Sequence, residues 1–269
     1  MKLASLGEQI RRVVRGAVPK SLYARGATLV DSAYGVKAFG FREFRTLSAL
    51  RNAPVESDPA PVRLRNLAYP FYVRPGTPDA GVVIQAMARQ AYSYALPSRP
   101  VNLIVDAGAN IGDTAVWYAN QFPEASIVSV EPDPDNLSVL RRNCLPYGDR
   151  IRLLHAALWP EPERKLVTAG EYIGARVAES ENERDETCPS IDPLGILSNT
   201  QFETIDIFKI DIEGAEEALF SGECDAWLAK TRSIAVEIHS PSAADAVFSA
   251  TGRNGFRHAR YRNVHFFSR

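Results

Sequence analysis

The stretch Val101-Asn-Leu-Ile-Val-Asp-Ala-Gly-Ala-Asn-Ile-Gly-Asp113 decides the fold of this chain. Its apolar start predicts a buried strand that ends at the carboxylate of Asp106. Gly108 and Gly112 permit a sharp turn and a close approach of the backbone to a ligand, because neither carries a Cβ. Asp113 then stands where a helix N-cap is expected. Strand, glycine turn and helix together are the usual build of a nucleotide-type cofactor site at the carboxyl edge of a sheet.

The loop after this strand lacks the spacing of a phosphate cradle. It reads Asp-x-Gly-x-Asn-x-Gly from Asp106 to Gly112, and a carboxylate at the strand tip repels a pyrophosphate. A cofactor with an adenosine, an ammonium group and no phosphate fits better, and S-adenosylmethionine is such a molecule. We expect Asp106 to attract the ammonium end, unless it only accepts hydrogen bonds within its own turn. Asn110 either contacts the cofactor or braces the loop.

Composition limits the class of protein. The chain has 269 residues, 45% of them apolar, which suits one large α/β domain or a medium domain with an appendage. Its 31 basic residues balance 32 acidic ones, so we expect no general affinity for nucleic acid. Three widely spaced cysteines argue against a disulfide framework and a zinc site, and favour a reducing, cytoplasmic location. We recognise neither a signal peptide nor an apolar run of the ~20 residues that a membrane helix needs.

Strands and helices alternate through most of the chain. Strands are predicted over 101–105, 126–131, 151–157, 205–211 and 233–239, and helices over 113–122, 135–144, 192–197, 215–220 and 242–251. Near-continuous apolar strands separated by helices favour a parallel sheet covered on both faces, and segments 256–261 and 264–267 favour a terminal antiparallel hairpin. The expected fold is therefore α/β, with a mostly parallel seven-stranded sheet. A polar stretch, 159–189, interrupts the pattern, and its acidic run 179–186 is predicted to be a loop.

Three regions are predicted: a helical extension over 1–52, a connecting segment of short strands and a helix over 53–100, and the main domain over 101–269. Basic residues concentrate in residues 1–26, where apolar residues fall at helical spacing on the opposite face. We favour a helix packed on the main domain or on a partner subunit. The alternative is peripheral contact of this helix with an anionic membrane surface.

Glu131 ends the second strand of the main domain. Its carboxylate is placed to accept hydrogen bonds from both hydroxyls of a ribose, which is the second half of an adenosine site. The competing interpretation is that Glu131 only caps the turn that Pro132 and Asp133 begin. Ala157, at the end of the third strand, is small enough to leave space for a purine ring.

A second group of ionisable residues follows two later strands. Asp211 and Glu213 share one face with Lys209, and a Lys209–Asp211 ion pair is the purely structural interpretation. Glu237 and His239 share a face of the next strand, and His239 is the candidate for a base at neutral pH, unless it only caps its strand. Asp211, Glu213 and His239 also suit a metal by ligand type, but without clear spacing we expect no metal.

Together these motifs resemble the FkbM family of S-adenosylmethionine-dependent methyltransferases. The matching segments are Val105-Asp-Ala-Gly-Ala-Asn-Ile-Gly-Asp113, Val130-Glu-Pro-Asp-Pro134, Phe208-Lys-Ile-Asp-Ile-Glu-Gly-Ala-Glu216 and Val236-Glu-Ile-His239, with Val73-Arg-Pro-Gly-Thr-Pro-Asp79 upstream. The resemblance implies a Rossmann-like class I methyltransferase that acts on hydroxyls of sugars or polyketide-type alcohols. The chain departs from the family pattern in the acidic stretch before Ser190, and the resemblance does not explain residues 1–52.

The resemblance also implies roles for individual residues. It makes Asp106, Gly108, Asn110 and Glu131 cofactor residues, places Asp211, Glu213 and His239 near the reacting centre, and implies that Arg74, Thr77 and Asp79 line or close the cleft for the substrate. From their positions in the chain we add Gly112 and Ala157 to the cofactor residues and Glu237 to the substrate residues. We therefore expect an O-methyltransferase for a small-molecule, glycan or lipid-linked acceptor, cytoplasmic or peripheral at the membrane. Two alternatives stay open: an NAD-type oxidoreductase, which would need a Gly-x-Gly-x-x-Gly turn, and a non-catalytic binding protein that retains the fold.

Overall fold

The computed structural model describes residues 32–56, 58–93, 100–162, 165–169, 176–179 and 187–269. The predictions made for residues 1–31, including the amphipathic helix, lie outside the described residues. So does the acidic run, apart from Glu179.

The segment before the main domain consists of short elements. Residues 32–39 are helical, and they precede α1 (Phe41–Arg51), the antiparallel pair β1 (Ala60–Val62) and β2 (Phe71–Val73), and α2 (Asp79–Val83). A π-helical turn, Ile84–Ala88, continues α2. The helix predicted within the connecting segment is therefore short, and it ends at Ala88 in a wide turn of a kind that is frequent at functional sites.

The main domain is built on a seven-stranded sheet. From residue 103 onward the strands are β3 (Leu103–Ala107), β4 (Ser126–Glu131), β5 (Ile151–His155), β6 (Ala157–Leu158), β7 (Lys165–Ala169), β8 (Arg176–Glu179), β9 (Thr187–Ile191), β10 (Ile205–Ile210), β11 (Thr231–Glu237), β12 (Arg257–Tyr261) and β13 (Val264–Ser268). The order in the large sheet is β12-β13-β11-β10-β3-β4-β5, and only the β13 pairings are antiparallel. This confirms the predicted α/β class I fold with its terminal hairpin.

Helices cover this sheet, and three of them begin at side-chain caps. They are α3 (Asp113–Gln121), α4 (Pro134–Cys144), α5 (Pro193–Ser198), α6 (Glu216–Ser221), α7 (Asp225–Ala229) and α8 (Pro241–Arg253). Asp133, Asp192 and Ser240 cap α4, α5 and α8 through their side-chain oxygens, each with a proline in the first turn. The sequence predicted all of these helices except α7.

The polar stretch after β5 contains strands. β6, β9, β7 and β8 form a second, four-stranded sheet in that order, and Ala157, Leu166 and Cys188 from three of its strands form a small buried cluster. The predicted loop is therefore wrong at Glu179, which ends β8. The predicted strand 151–157 is divided between the two sheets, because the chain leaves the large sheet after His155.

Two apolar clusters lie in the core. β3 and β10 are buried at every position, which explains why their sequences are almost continuously apolar. Phe39 and Leu47 belong to the same buried cluster as Ile104 and Trp117, so the N-terminal helices that the structure describes share the core of the main domain. Within the described ranges, no helix has the length and apolar character needed to cross a membrane.

Candidate active site

A cavity of about 240 Å³ lies at the carboxyl edge of the large sheet. The loop after β3 and the ends of β4, β10 and β11 supply most of its wall, and the segment from α2 to Tyr92, β6, α4 and the turn between β12 and β13 also contribute. We define the Glu131 end of the cavity by Asn110, Glu131 and Asn136. The Asp211 end is defined by Gln85, Tyr92, Asp211, Glu213, Glu237 and Asn263.

The loop after β3 depends on its two glycines. Gly108 has φ +71°, and a Cβ there would lie 1.8 Å from the backbone oxygen of Asp211. Gly112 has φ +88°, and its Cβ would lie 2.7 Å from Leu140 Cδ1. Gly108 therefore lines the cavity through its backbone, whereas Gly112 packs the loop against α4. Gly112 is also the N-cap of α3, so the prediction that Asp113 is the N-cap is wrong; Asp113 is the first helical residue and lines the cavity.

Asp106 lies beneath this loop and is paired with Lys209. The Lys209 Nζ is 3.2 Å from Asp106 Oδ1 and 3.9 Å from Asp211 Oδ2, and it also donates to the backbone oxygens of Ala107 and Gly108. Burial opposes the charge on Lys209, but its carboxylate neighbours outweigh burial and raise its pKa. Asp106 is fully buried and is not among the described residues that line the cavity. Its partner is thus an internal ammonium group.

The Glu131 end combines a carboxylate with an amide. Glu131 Oε2 accepts from the backbone N–H of Asn110 at 2.7 Å, and Oε1 accepts from that of Asp133 at 3.1 Å. Glu131 therefore braces both its own turn and the first loop while it faces the cavity. Burial raises the pKa of Glu131 to about 7. Asn110 has φ +49°, and its Oδ1 is buried with no hydrogen-bond partner in the described structure. Ala157 also lines the cavity.

Arg74, Thr77 and Asp79 form a buried network behind the cavity. Asp79 accepts from the backbone N–H and from two guanidinium nitrogens of Arg74, each at 2.9 Å, and Thr77 Oγ1 donates to the Arg74 backbone oxygen. Arg74 also donates to Asn136 Oδ1 at 2.7 Å, which links the network to the Glu131 end. None of the three lines the cavity in the part of the chain that is described. This segment reaches the cavity through Gln85 and Tyr92 instead, which no sequence motif had identified.

Tyr92 and Gln85 converge on Glu237 at the Asp211 end. The Tyr92 hydroxyl lies 3.1 Å from Asp211 Oδ2 and 3.0 Å from Glu237 Oε1, and Gln85 Nε2 donates to the same Glu237 oxygen at 3.2 Å. Asn263 Nδ2 donates to the other oxygen of Glu237. Burial, followed by the charge on Asp211, raises the pKa of Glu237 to about 7. Two carboxylates are thus held side by side in the wall of the cavity.

His239 lies beside these carboxylates. Its Nδ1 is 2.8 Å from Oε1 of the fully buried Glu216, and its Nε2 is 3.4 Å from Glu213 Oε2 and 3.6 Å from Asp211 Oδ1. The hydrogen bond with Glu216 raises the pKa of His239 to about 9, against the lowering effect of burial. The ring is therefore protonated at neutral pH in the protein without ligands. To serve as the predicted base, it must first lose that proton.

The family model described as the methyltransferase FkbM domain matches residues 106–262. The chain belongs to the FkbM methyltransferase family. It is 30% identical to methyltransferase sdnD of Sordaria araneosa over 184 residues, which cover 55% of this chain and 69% of that protein. It is also 26% identical to the AMB antimetabolite synthetase AmbE of Pseudomonas aeruginosa over 202 residues, covering 58% of this chain but 10% of AmbE.

Among solved structures, the chain is similar to methyltransferase FkbM from Methylobacillus flagellatus KT. The TM-score is 0.46 at 16% identity, and the alignment covers 85% of this chain and 58% of that one. The match to the family model makes this chain a methyltransferase by its family. The matched residues 106–262 do not include Gln85, Tyr92 or Asn263, so part of the Asp211 end lies outside the family domain.

The cavity of this FkbM-family protein has surplus negative charge. The carboxylates that line it are those of Asp113, Glu131, Asp211, Glu213 and Glu237, and the single ammonium group among its described lining residues is that of Lys209. Burial raises the pKa of Asp113 to about 7, as it does for Glu131 and Glu237. These raised values mean that ionising the carboxylates is costly, and a bound cation would reduce that cost.

Proposed function

We propose that this protein is an S-adenosylmethionine-dependent O-methyltransferase whose acceptor is a hydroxyl of a sugar, a glycan precursor or a natural-product alcohol. The observation that carries the proposal is the surplus of carboxylates along one cavity that joins the Glu131 end to the Asp211 end. A cofactor with a sulfonium and an ammonium group would be attracted to such a surface, and a dinucleotide with a pyrophosphate would be repelled. The charge therefore disfavours an NAD-type oxidoreductase.

The Glu131 end suits the nucleoside part of this cofactor. The carboxylate of Glu131 is held by two backbone N–H groups and still faces the cavity, so it can accept hydrogen bonds from ribose hydroxyls. The unpartnered Oδ1 of Asn110 can accept from an ammonium or hydroxyl group of the ligand. Ala157 leaves room beside them. Asp106 would contribute indirectly, because its ion pair with Lys209 supports the loop.

The Asp211 end suits an acceptor hydroxyl. When bound, the cofactor supplies a methyl group that is already activated, so the protein has to orient the acceptor and remove its proton. Asp211 and Glu237 are held side by side by Tyr92 and can accept a hydrogen bond from a hydroxyl. Gln85 and Asn263 fix the orientation of Glu237. Glu213 and His239 lie close enough to take up the proton once the ring is neutral.

We further propose a cytoplasmic location. The three cysteines of the chain are all free and buried, as expected for a reducing compartment. Residues 1–26 are proposed to place the enzyme near lipid-linked acceptors, on account of their basic and amphipathic sequence. Deletion of residues 1–26 tests that contact: a lower fraction of protein bound to anionic vesicles is expected, and unchanged binding would contradict it.

Isothermal titration calorimetry with S-adenosylmethionine and with NAD tests the cofactor. Binding of the first alone is expected. Binding of NAD alone would contradict the proposal, and binding of neither would favour a non-catalytic protein that retains the fold. A screen of hydroxylated acceptors with radiolabelled methyl donor then tests the reaction, and label in an ether linkage is the expected product.

A further inference from the structure

We propose that Asp211, Glu237 and His239 form a binding site for one divalent cation at the Asp211 end of the cavity. One donor atom from each of the three side chains lies within 4.8 Å of the others. Ligand atoms on opposite sides of a cation with bonds of about 2.0–2.6 Å are about 4–5 Å apart, so the three donors can reach one ion with small rotations of their side chains.

The donor set consists of two carboxylates and one imidazole. Carboxylates suit Mg²⁺ and Mn²⁺, and an imidazole nitrogen favours first-row transition ions, so Mn²⁺ matches both ligand types. Asp211 and Glu237 come from the ends of two adjacent parallel strands, β10 and β11, and His239 follows two residues after Glu237. Glu237 is the last residue of β11 and Asp211 is the first residue after β10, so the ends of these two strands position two of the three ligands.

A second layer of hydrogen bonds orients these ligands. Glu216, with a fully buried side chain, holds Nδ1 of His239 at 2.8 Å and leaves Nε2 directed towards Asp211 and Glu213. Histidines that bind metals almost always donate their second ring nitrogen to such a partner. Glu237 is likewise oriented by Gln85 and Asn263, on opposite oxygens. These partners lie outside the proposed ligand set.

Charge and access also favour a cation. The carboxylates of Glu213 and Glu216 add to those of Asp211 and Glu237, while the nearest ammonium group, that of Lys209, is closer to Asp106 than to Asp211. Asp211 and Glu237 line the cavity, so an ion and an acceptor can reach them from outside. An access path and a satisfied second layer are what a functional cation site requires.

The catalytic role of the ion rests on the proposed function, whereas the binding of the ion to the protein is independent of that function. A divalent cation at this position would bind the acceptor hydroxyl and lower its pKa, so that the O–H bond breaks and the proton passes to Glu213. Glu213 Oε2 lies 3.4 Å from His239 Nε2, beside the proposed ligands. Because the probe is the ion alone, the test needs no knowledge of the acceptor.

Mn²⁺ titration of the chelator-treated full chain, followed by electron paramagnetic resonance of the free ion, tests the site. We expect one Mn²⁺ per chain, with affinity reduced at least ~10-fold in His239→Ala and in Glu237→Gln. Glu217→Gln is the matched control, because it removes a carboxylate from an exposed position on α6 that is outside the ligand set. Circular dichroism establishes that each variant is folded.

A measurement on the unmodified chain covers the case in which a variant does not fold. The chain has four histidines, so few ring signals appear in the proton spectrum, and substoichiometric Mn²⁺ should broaden that of His239 before those of His258 and His265. Absence of Mn²⁺ binding, or binding that His239→Ala and Glu237→Gln leave unchanged, would overturn the cation site. S-adenosylmethionine calorimetry on the same sample is independent: cofactor binding without Mn²⁺ binding would reject the ion and leave the proposed function standing.

Discussion

Lys209 Nζ lies 3.2 Å from Asp106 Oδ1, and both side chains are almost completely buried. This ion pair joins β10 to β3, where the parallel register places Lys209 opposite Asp106. Because Lys209 also donates to the backbone oxygens of Ala107 and Gly108, it holds the start of the first loop in place. Asp106, which its position at a strand end suggested as a cofactor contact, therefore helps to hold the loop that lines the cavity.

Lys209→Met should strongly destabilise the protein. The substitution leaves the charge of Asp106 buried without a partner, which costs about 3–5 kcal/mol in the free energy of unfolding. Urea denaturation measures the change. Adding Asp106→Asn should recover part of the loss, because the double variant no longer contains the fully buried, unpaired charge of Asp106.

Arg253→Met provides the matched control for this substitution. It removes an ion pair with Asp225 at 2.9 Å, but both of these side chains are substantially exposed and screened by solvent, so only a small loss of stability is expected. Equal effects of Lys209→Met and Arg253→Met would show that the buried pair has no special role.

Glu131→Gln should weaken binding of S-adenosylmethionine about 10-fold or more. The substitution removes a charged acceptor that faces the cavity, and hydrogen bonds to charged groups contribute about 1.5–3 kcal/mol. Calorimetric titration measures the affinity. Asp133→Asn is the control, because asparagine also caps α4 and Asp133 is not among the described residues that line the cavity. Wild-type affinity in Glu131→Gln would remove this residue from the cofactor site.

Gly108→Ala should destabilise the protein more than Gly214→Ala does. Both glycines have positive φ, +71° and +111°, so alanine is strained at either position by about 1–3 kcal/mol. Only at Gly108 would the new Cβ meet another atom, the Asp211 oxygen at 1.8 Å; at Gly214 no atom of the described structure lies within 4 Å of it. Urea denaturation measures the free energy of unfolding of each variant and so separates the backbone strain from the contact with Asp211. Similar losses of stability in the two variants would show that this contact is easily relieved.

The sequence predicted the large sheet because its elements carry strong local signals. β3 and β10 are buried throughout and mostly apolar, and α4, α5 and α8 begin at Asp or Ser followed by proline. The partner of Lys209 could not be predicted in the same way. Lys209 pairs with Asp106 because β10 lies beside β3 in one register, and a single sequence does not specify that register.

The positions of Gln85 and Tyr92 in the wall of the cavity could not be predicted for a related reason. Tyr92 contacts Glu237, which lies 145 positions further along the chain. No local sequence motif indicates that these two residues are in contact. The second sheet was missed because β7 pairs with β9, so its stability comes from contacts between strands and not from apolar periodicity within one. Glu131, by contrast, could be singled out as a candidate because a carboxylate at a strand end is a local pattern, and it does line the cavity.

The terminal hairpin should make stability dependent on pH between about 4 and 6.5. His265 on β13 lies 3.1 Å from His258 on β12, its ring packs against Phe248, and Arg260 adds a positive charge. Burial, followed by the positive charges of Arg260 and His258, lowers the pKa of His265 to about 4. The unfolded chain then binds a proton near pH 6.5 that the folded chain does not, so stability falls as pH decreases from about 6.5 to 4.

Thermal unfolding at pH 7.5 and at pH 5 measures this effect, and His265→Gln should reduce the difference between the two melting temperatures. Because the ring is partly solvated, we expect a contribution of the order of 1 kcal/mol, or about 2–4 °C. His155→Gln is the control, since it removes an exposed histidine on β5 that is remote from the hairpin in the sheet. If His155→Gln reduced the difference as much as His265→Gln, the ring of His265 on β13 would not be its source.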